Sequence, residues 1–323
     1  MGRTMRFCLM IEGQEGISWD RWLALAETCE RLGLEGLFTS DHYLSVMGAE
    51  RRGSFDAWTL LAGLAARTRR LRLGTLVSPV TFRHPMVLAK AATTVDHISG
   101  GRVELGMGAG WWTEEHRTHG FPFPPAGERT AMLAEQLELV HRLWSEDEVT
   151  FEGRFYRLDR CRFAHRPLQR PHPPLIVGGS GRPRMARLVA RWGDEFNTVG
   201  GTPPEVRERF LRVRAAVEAA GRDQAEVTTS FMTWCYVGAT EEELDRRLRA
   251  AHALDPEAGP FDAWLAEIRR DRIVGTVDRA VEQLAAYAEA GVQRFFLNHE
   301  LFEDLEMIEL LAAEIIPRLA PGN

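Results

Sequence analysis

Eight times along the 323-residue chain a short apolar run gives way to a longer amphipathic one, and no Ser/Gly-rich linker or charge block separates the repeats. This alternation constrains the fold more than any single motif. Each amphipathic run can carry the chain back across a sheet, so that the next strand lies parallel to the last. The strand candidates are Met5 to Ile11, Gly36 to Thr39, Leu71 to Val77, Val103 to Met107, Pro174 to Val177, Glu195 to Thr198, Val227 to Tyr236 and Arg294 to Leu297. Helical periodicity follows at Asp20 to Leu32, Phe55 to Arg67, Pro85 to Ile98, Glu128 to Trp144, Pro183 to Arg191, Glu205 to Ala220, Glu241 to His252 and Leu305 to Leu319, with a further helix at Asp278 to Ala290. Eight such units predict an α/β chain folded as a single (β/α)8 TIM barrel over residues 1–323, against an open doubly wound sheet as the alternative.

One stretch breaks the rhythm. Phe151-Glu-Gly-Arg-Phe-Tyr156 has a hairpin centre between apolar flanks, and a Pro-, Arg- and His-rich run follows it. The stretch, about 146–174, is expected as an insertion after the fourth helix, either covering the C-terminal mouth of the barrel or forming a surface excursion.

In a barrel, chemistry is built where strands end. Those positions read Glu12-Gly13-Gln14, Ser40-Asp41-His42, Ser78-Pro79, Gly106-Met-Gly-Ala-Gly-Trp-Trp112, Gly178-Gly-Ser-Gly-Arg182, Asn197, Trp234 and Asn298-His299. Asp41 beside His42 offers a carboxylate that could tune an imidazole for proton transfer near neutral pH, or a turn cap beside a rim histidine. The loop Gly178, Gly179, Ser180, Gly181, Arg182 precedes a helix that Pro183 can start. Free N–H groups, the helix dipole and the arginines suit a phosphate, while a plain tight turn is the competing reading. Arg182 takes the last position of a Gly-x-Ser-x-Gly nucleophile elbow, so that match fails. Gly106 to Gly110 would let something flat approach the backbone, and Trp111 with Trp112 would either wall an aromatic cofactor or pack under the insertion. His116, His119, Glu114 and Glu115 lack a metal-binding spacing and read as a solvated helix start, so no metal is expected.

Composition removes several classes. Lys90 is the only lysine among 40 basic residues and lies mid-helix, which excludes a Walker A loop and disfavours Schiff-base chemistry. A net charge of −6 argues against a general nucleic-acid or anionic-membrane binder. Four scattered cysteines form no C-x-x-C pair, and Met1 to Met10 shows no secretory pattern, so a reduced, cytoplasmic protein is expected.

Asp41-His42, Leu73-Gly-Thr-Leu-Val-Ser-Pro79, Arg83-His-Pro-Met-Val-Leu-Ala-Lys90, Thr94 through Trp111, Pro174-Leu-Ile-Val-Gly-Gly-Ser-Gly181 and Ile273-Val-Gly-Thr-Val-Asp278 occur in that order. Together they resemble the bacterial luciferase-like monooxygenase superfamily over nearly the whole chain. Members use reduced FMN or the deazaflavin coenzyme F420. Met10-Ile-Glu-Gly-Gln14, Ser40-Asp-His42 and Gly108-Ala-Gly-Trp111 look most like the F420-dependent branch, and arginine-rich composition fits an actinobacterial source. The resemblance implies a non-prolyl cis peptide at Leu76-Val77, ring and ribityl contacts from Asp41, Leu76, Val77, Ser78, Gly108, Ala109 and Gly110, and a phosphate held by Gly178 to Arg182. It also implies that His42 acts on substrate or ring protons. Sugar-phosphate dehydrogenases of this branch carry a glutamate acid where Trp111 stands, which argues against glucose 6-phosphate. Trp111, Trp112, Trp234 and Phe38 then point to a roomier apolar pocket.

The expected function is hydride transfer between F420 and a small organic substrate; the resemblance implies a homodimer, for which exposed apolar faces on the early helices would be the place to look. An FMN-dependent monooxygenase and a noncatalytic cofactor-binding relative are the alternatives.

Overall fold

The computed structural model describes residues 5–46 and 52–319. Eight parallel strands form the barrel: β1 (Arg6–Ile11), β2 (Gly36–Thr39), β3 (Arg72–Thr75), β4 (Val103–Gly108), β5 (Leu175–Gly178), β6 (Glu195–Val199), β7 (Thr228–Gly238) and β8 (Arg294–Asn298). They pair in sequence order, and β1 with β8 closes the ring, in register from Arg6 opposite Arg294 to Met10 opposite Asn298. The expected (β/α)8 barrel is the observed fold. The helices are α1 (Trp19–Leu32), α2 (Ala57–Arg67), α3 (Pro85–Ser99), α4 (Thr113–His119), α5 (Ala126–Ser145), α6 (Pro183–Trp192), α7 (Pro203–Ala219), α8 (Glu241–His252), α9 (Phe261–Ile268) and α10 (Val277–Glu289). The last helical stretch, expected to be continuous, is Leu305–Leu310 and Ile316–Leu319 joined through a π turn at Leu311–Ile315.

Near-continuous apolar strands are what a sheet buried on both faces requires. Alternate residues of β1 show the division: Phe7, Leu9 and Ile11 pack outward under the helices, while Cys8 and Met10 join Phe38, Ile176, Met232 and Phe296 inside the barrel. Near the end where the strands begin, the interior is ionic. Arg294, fully buried, donates to Glu104 at 2.6 and 3.1 Å and to Glu195 at 2.9 Å, and its Nε forms an ion pair with Glu35 at 3.0 Å. Arg72 also binds Glu104, and Arg6 binds Glu35 at 3.1 Å. The Arg294 guanidinium lies 4.9 Å and 5.1 Å from the ring centroids of Phe296 and Phe38.

The hairpin is present, as Val149–Glu152 antiparallel to Arg157–Cys161. It lies along α5, where the Glu135 carboxylate accepts the N–H groups of Arg154, Phe155 and Tyr156 at 2.8 to 3.2 Å. The run that follows sits at the opposite end of the barrel rather than over the mouth. Leu168 N–H donates to Asp96 at 2.6 Å, and Gln169 bonds Arg72 and the Val103 carbonyl at the starts of β3 and β4. The reason is directional, since a segment following a barrel helix begins where the strands begin. Among the elements outside the sequence expectation are α9 and a short strand, Ile273–Thr276, that pairs with the second half of β7, while α4 extends the helix start read at Glu114 to His119.

Arg294→Met should lower unfolding stability by about 3–5 kcal/mol, because Glu104 and Glu195 would lose a shared buried counter-charge. Urea denaturation followed by circular dichroism checks this.

Candidate active site

The strand ends gather a mouth whose floor is the turn after β3. There the Leu76-Val77 peptide is cis, as the resemblance implied. Leu76 N–H donates to the Thr39 carbonyl at 2.9 Å, tying this turn to the end of β2. Val77 occupies space that glycines leave open. A side-chain carbon built on Gly108 would come within 2.6 Å of Val77 Cγ2, one on Gly178 within 2.9 Å of its Cγ1, and one on Gly106 within 2.0 Å of the Thr75 carbonyl. The expected room for a flat ligand beside Gly106 and Gly108 is therefore filled along their side-chain directions by the chain itself. Both Leu76 and Val77 remain partly exposed toward the mouth.

Asp41 and His42 are adjacent in sequence but have separate partners. Asp41 is buried and accepts Ser78 Oγ–H at 2.6 Å and Arg83 Nη1–H at 2.5 Å. Ser78 Oγ in turn accepts the Trp58 indole N–H at 3.1 Å, and Arg83 also bridges to Asp56. Burial raises the Asp41 carboxyl above its ordinary value, against the opposing pull of Arg83 and Ser78. The Asp41 and Ser78 side chains are thus bonded to the protein and to one another.

His42 is held by Glu115, a residue the sequence reading assigned to a solvated helix start. The distances from His42 Nδ1 are 2.9 Å to Oε2 and 3.1 Å to Oε1. Glu115 and His116 are fully buried, which corrects that reading. His116 is fixed by Thr81 Oγ1 at 2.6 Å and the Trp112 carbonyl at 2.7 Å. No sequence signal near residue 115 could announce this contact, because its partner lies 73 positions away. Burial alone would lower the His42 pKa, but the hydrogen bond and charge of Glu115, with Glu12 and Asp41, raise it above the ordinary imidazole value. Trp111 and Trp112 stack on each other at 5.5 Å and meet the His42 ring edge-on at 5.8 and 5.9 Å. They pack beside the imidazole, with Trp111 63% exposed, and not under the hairpin.

Ala109 and Gly110 follow β4, and their carbonyls accept from Arg129 at 3.2 and 3.5 Å. Across the mouth, Gly178, Gly179, Ser180, Gly181 and Arg182 lead into α6. Gly181 has φ +65°, and Gly179 N–H is bonded to the Asn197 carbonyl at 3.0 Å. No side chain caps α6, and Ser180, Arg182 and Arg184 are exposed there. Among the described residues, no three His, Cys, Asp or Glu side chains gather as a metal site.

A cavity of about 200 Å³ is lined by Glu12, Trp234, Trp264, Arg272 and Glu300, with Val46, Ala251 and Asp255. Of the four aromatic residues expected to shape a pocket, only Trp234 lines it. Phe38 lies in the barrel interior, and the cavity is mixed in polarity rather than apolar. Arg272 lies 4.5 Å over the Trp234 ring, and Tyr236 donates its hydroxyl to Glu300. Glu12 accepts from Gln14 at 2.9 Å and from Asn298 at 3.2 Å, and its charge also reaches His42.

Residues 5–294 match the family model for luciferase-like monooxygenases. The chain belongs to the luciferase-like monooxygenase family. The F420-dependent glucose-6-phosphate dehydrogenase of Nakamurella multipartita is 32% identical over 313 residues, covering 91% of each chain. The monooxygenase RslO1 of Streptomyces bottropensis superposes with a TM-score of 0.79 at 29% identity, over 97% of this chain and 99% of that one. An F420-dependent secondary alcohol dehydrogenase, solved with an F420-acetone adduct, superposes with a TM-score of 0.81 over 98% of both chains, and at 21% identity it speaks to the fold.

This luciferase-like chain also carries a buried histidine beyond β8. Burial lowers His299 to about 4, from about 6.5 in an unfolded chain. Between those values the unfolded state binds the extra proton, so this group costs stability as pH falls through the window and nothing above it. On going from pH 7 to 4 the protein should lose about 2–3 kcal/mol more than its His299→Asn variant, measured by urea titration at each pH.

Proposed function

We propose that this luciferase-like protein moves a hydride between F420 and a small organic substrate, with His42 exchanging the accompanying proton. The observation that carries the reading is His42, fixed by a buried carboxylate at the mouth of the barrel and raised in pKa in part by the charge of Glu12, which lines the cavity. The F420-dependent dehydrogenase relative supports the coenzyme.

The residues fit such a group. Leu76 and Val77 present a partly exposed floor, α6 starts without a side-chain cap, and Arg182 and Arg184 stand exposed beside that start. Backbone N–H groups at an uncapped helix start suit a phosphate, and the two arginines suit the acidic tail that distinguishes F420 from FMN. In this reading Leu76, Val77, Gly108, Ala109 and Gly110 would bound the ring, and Gly178 to Arg182 would hold the phosphate. Asp41 and Ser78 act behind them, by fixing the turn after β3 to the end of β2. When bound, the deazaflavin supplies the carbon that accepts or gives the hydride.

The chain's own residues do the rest. Glu12, Trp234, Arg272 and Glu300 orient a substrate of mixed polarity, Trp111 and Trp112 shield the imidazole, and His42 takes or returns a proton. Trp111 replaces the acid expected of sugar-phosphate dehydrogenases, which favours a substrate other than glucose 6-phosphate. Trp19, Phe55, Val87 and Ile98 expose apolar surface on or beside the early helices, which supports a homodimer.

A parallel fluorescence titration with F420 and FMN tests the coenzyme. F420 should bind at micromolar Kd or tighter and FMN at least about tenfold more weakly. Arg182→Ala/Arg184→Ala should cost F420 roughly tenfold and FMN less than about threefold, an effect that shrinks with added salt. Preference for FMN would point to oxygen-dependent flavin chemistry instead. His42→Ala should leave coenzyme affinity within about tenfold and cut turnover by ~100-fold.

A further inference from the structure

Helix α4 has seven residues, and its buried acid points back to the loop after β2. The side-chain exposure of Glu115 is 1%, and among the described residues it pairs with no arginine or lysine. Its partners all belong to one turn: His42 Nδ1 at 2.9 and 3.1 Å, Tyr43 N–H at 2.6 Å and Leu44 N–H at 3.3 Å. A buried carboxylate without a counter-cation persists only when hydrogen-bond donors surround it.

That requirement decides where the imidazole proton sits. Tyr43 and Leu44 present backbone N–H groups, which can only donate, so Oε1 is already an acceptor twice over. A proton on Oε2 would leave those two bonds in place but turn the carboxyl into the donor toward Nδ1; against the cost of burial, the bonds from His42, Tyr43 and Leu44 hold the Glu115 carboxyl below its ordinary value and so ionised. The ionised carboxylate has nothing to donate, so the nitrogen that faces it, Nδ1, must carry a hydrogen. In the neutral ring this leaves the lone pair on Nε2.

We propose that Glu115 is a positioning residue that holds His42 in the Nδ1-protonated tautomer and so makes Nε2 the atom at which protons are exchanged. The inference rests on reading His42 as the proton-exchanging group. It extends that reading, because the neighbour that sequence suggests for the task, Asp41, is already engaged by Ser78 and Arg83. In the oxidative direction Nε2 accepts the proton of the substrate as its hydride leaves, and in the reductive direction Nε2–H returns it. The charged and titratable groups around the ring are Glu115 and His116 from α4, Glu12 beyond β1 and Asp41 from its own turn. Glu12 and Asp41 have no hydrogen bond to the ring, so they add field without choosing a tautomer.

The test is nitrogen NMR of the protein labelled with ¹⁵N-histidine, which needs neither coenzyme nor substrate. In the unsubstituted protein above the His42 pKa, the His42 resonances, assigned by their loss in His42→Ala, should show Nδ1–H with Nε2 unprotonated. Glu115→Gln keeps the side-chain volume, and its amide can accept from Tyr43 while donating to Nδ1. This variant should move the hydrogen to Nε2, lower the His42 pKa by about one unit and shift the matching limb of the kcat–pH profile with it. Turnover should fall at least ~30-fold, with KM and coenzyme affinity within about threefold. Glu115→Asp should restore part of the loss, and a thermal midpoint for each variant separates this outcome from misfolding.

An Nε2–H tautomer in the unsubstituted protein would overturn the proposal without any variant. So would a Glu115→Gln protein whose tautomer and pH profile stay unmoved. If the tautomer changes while turnover does not, Glu115 keeps its hold on the ring, and it is the reading of His42 as the proton-exchanging group that fails.

Discussion

A guanidinium buried inside the ring of strands is the interaction on which the barrel closes. Arg294 opens β8 and reaches Glu104 on β4, Glu195 on β6 and Glu35 just before β2. Three acids face three bases, Arg294, Arg72 and Arg6, so the cluster as a whole is close to neutral. Arg294 and Arg72 hold the Glu104 carboxyl below the ordinary range despite its burial, whereas burial and the neighbouring Glu104 charge push Glu195 up. Ionic partners of this kind contribute less net stability than their distances suggest, because removing them from water costs nearly as much as pairing returns. They do demand one register. A β8 shifted by one residue would carry Arg294 to the outer face and leave the interior acids without it.

The opposite end of the same ring is built by a different rule. Glycines on β4 and at the end of β5 withdraw their side chains, and Val77 moves into the gap. The turn after β3 is then pinned from β2 by the Thr39 carbonyl and by Asp41 through Ser78. The floor of the mouth is thus set by backbone contacts and one buried carboxylate, while Glu115 independently sets the imidazole above it. Two adjacent residues, Asp41 and His42, therefore serve two different structures.

This separation explains which parts of the site were legible. Positions were legible, because a barrel places the residues that follow its strands at one end, and the strands could be found from their apolar runs. Asp41, His42, Ser78 and the two glycine turns all appear where the strand ends put them. Partnerships were not legible. Adjacency in sequence suggested that Asp41 tunes His42, whereas successive backbone positions at a strand end point apart, and the imidazole turned to an acid 73 residues away. Glu115 looked solvated for the same reason: a seven-residue helix with acids in its first turn reads as surface until the loop after β2 is laid over it.

The sequence by itself determined the order of the barrel strands and of most helices, favoured the closed ring over an open sheet and carried the family's motifs, because periodicity and short motifs are local and survive without knowledge of contacts. It also placed the hairpin at the right residues. Only the tertiary structure decided that the run after the hairpin lies under the barrel, that Val77 fills the space beside the glycines, that the cavity is lined by Glu12, Arg272 and Glu300 as much as by tryptophan, and that Glu115 faces His42. Each of these depends on side chains far apart in the chain meeting in a low-dielectric interior, where an unpaired charge is costly and hydrogen-bond donors must find acceptors. Those requirements act on the assembled fold, so they leave no periodic trace in the order of the residues.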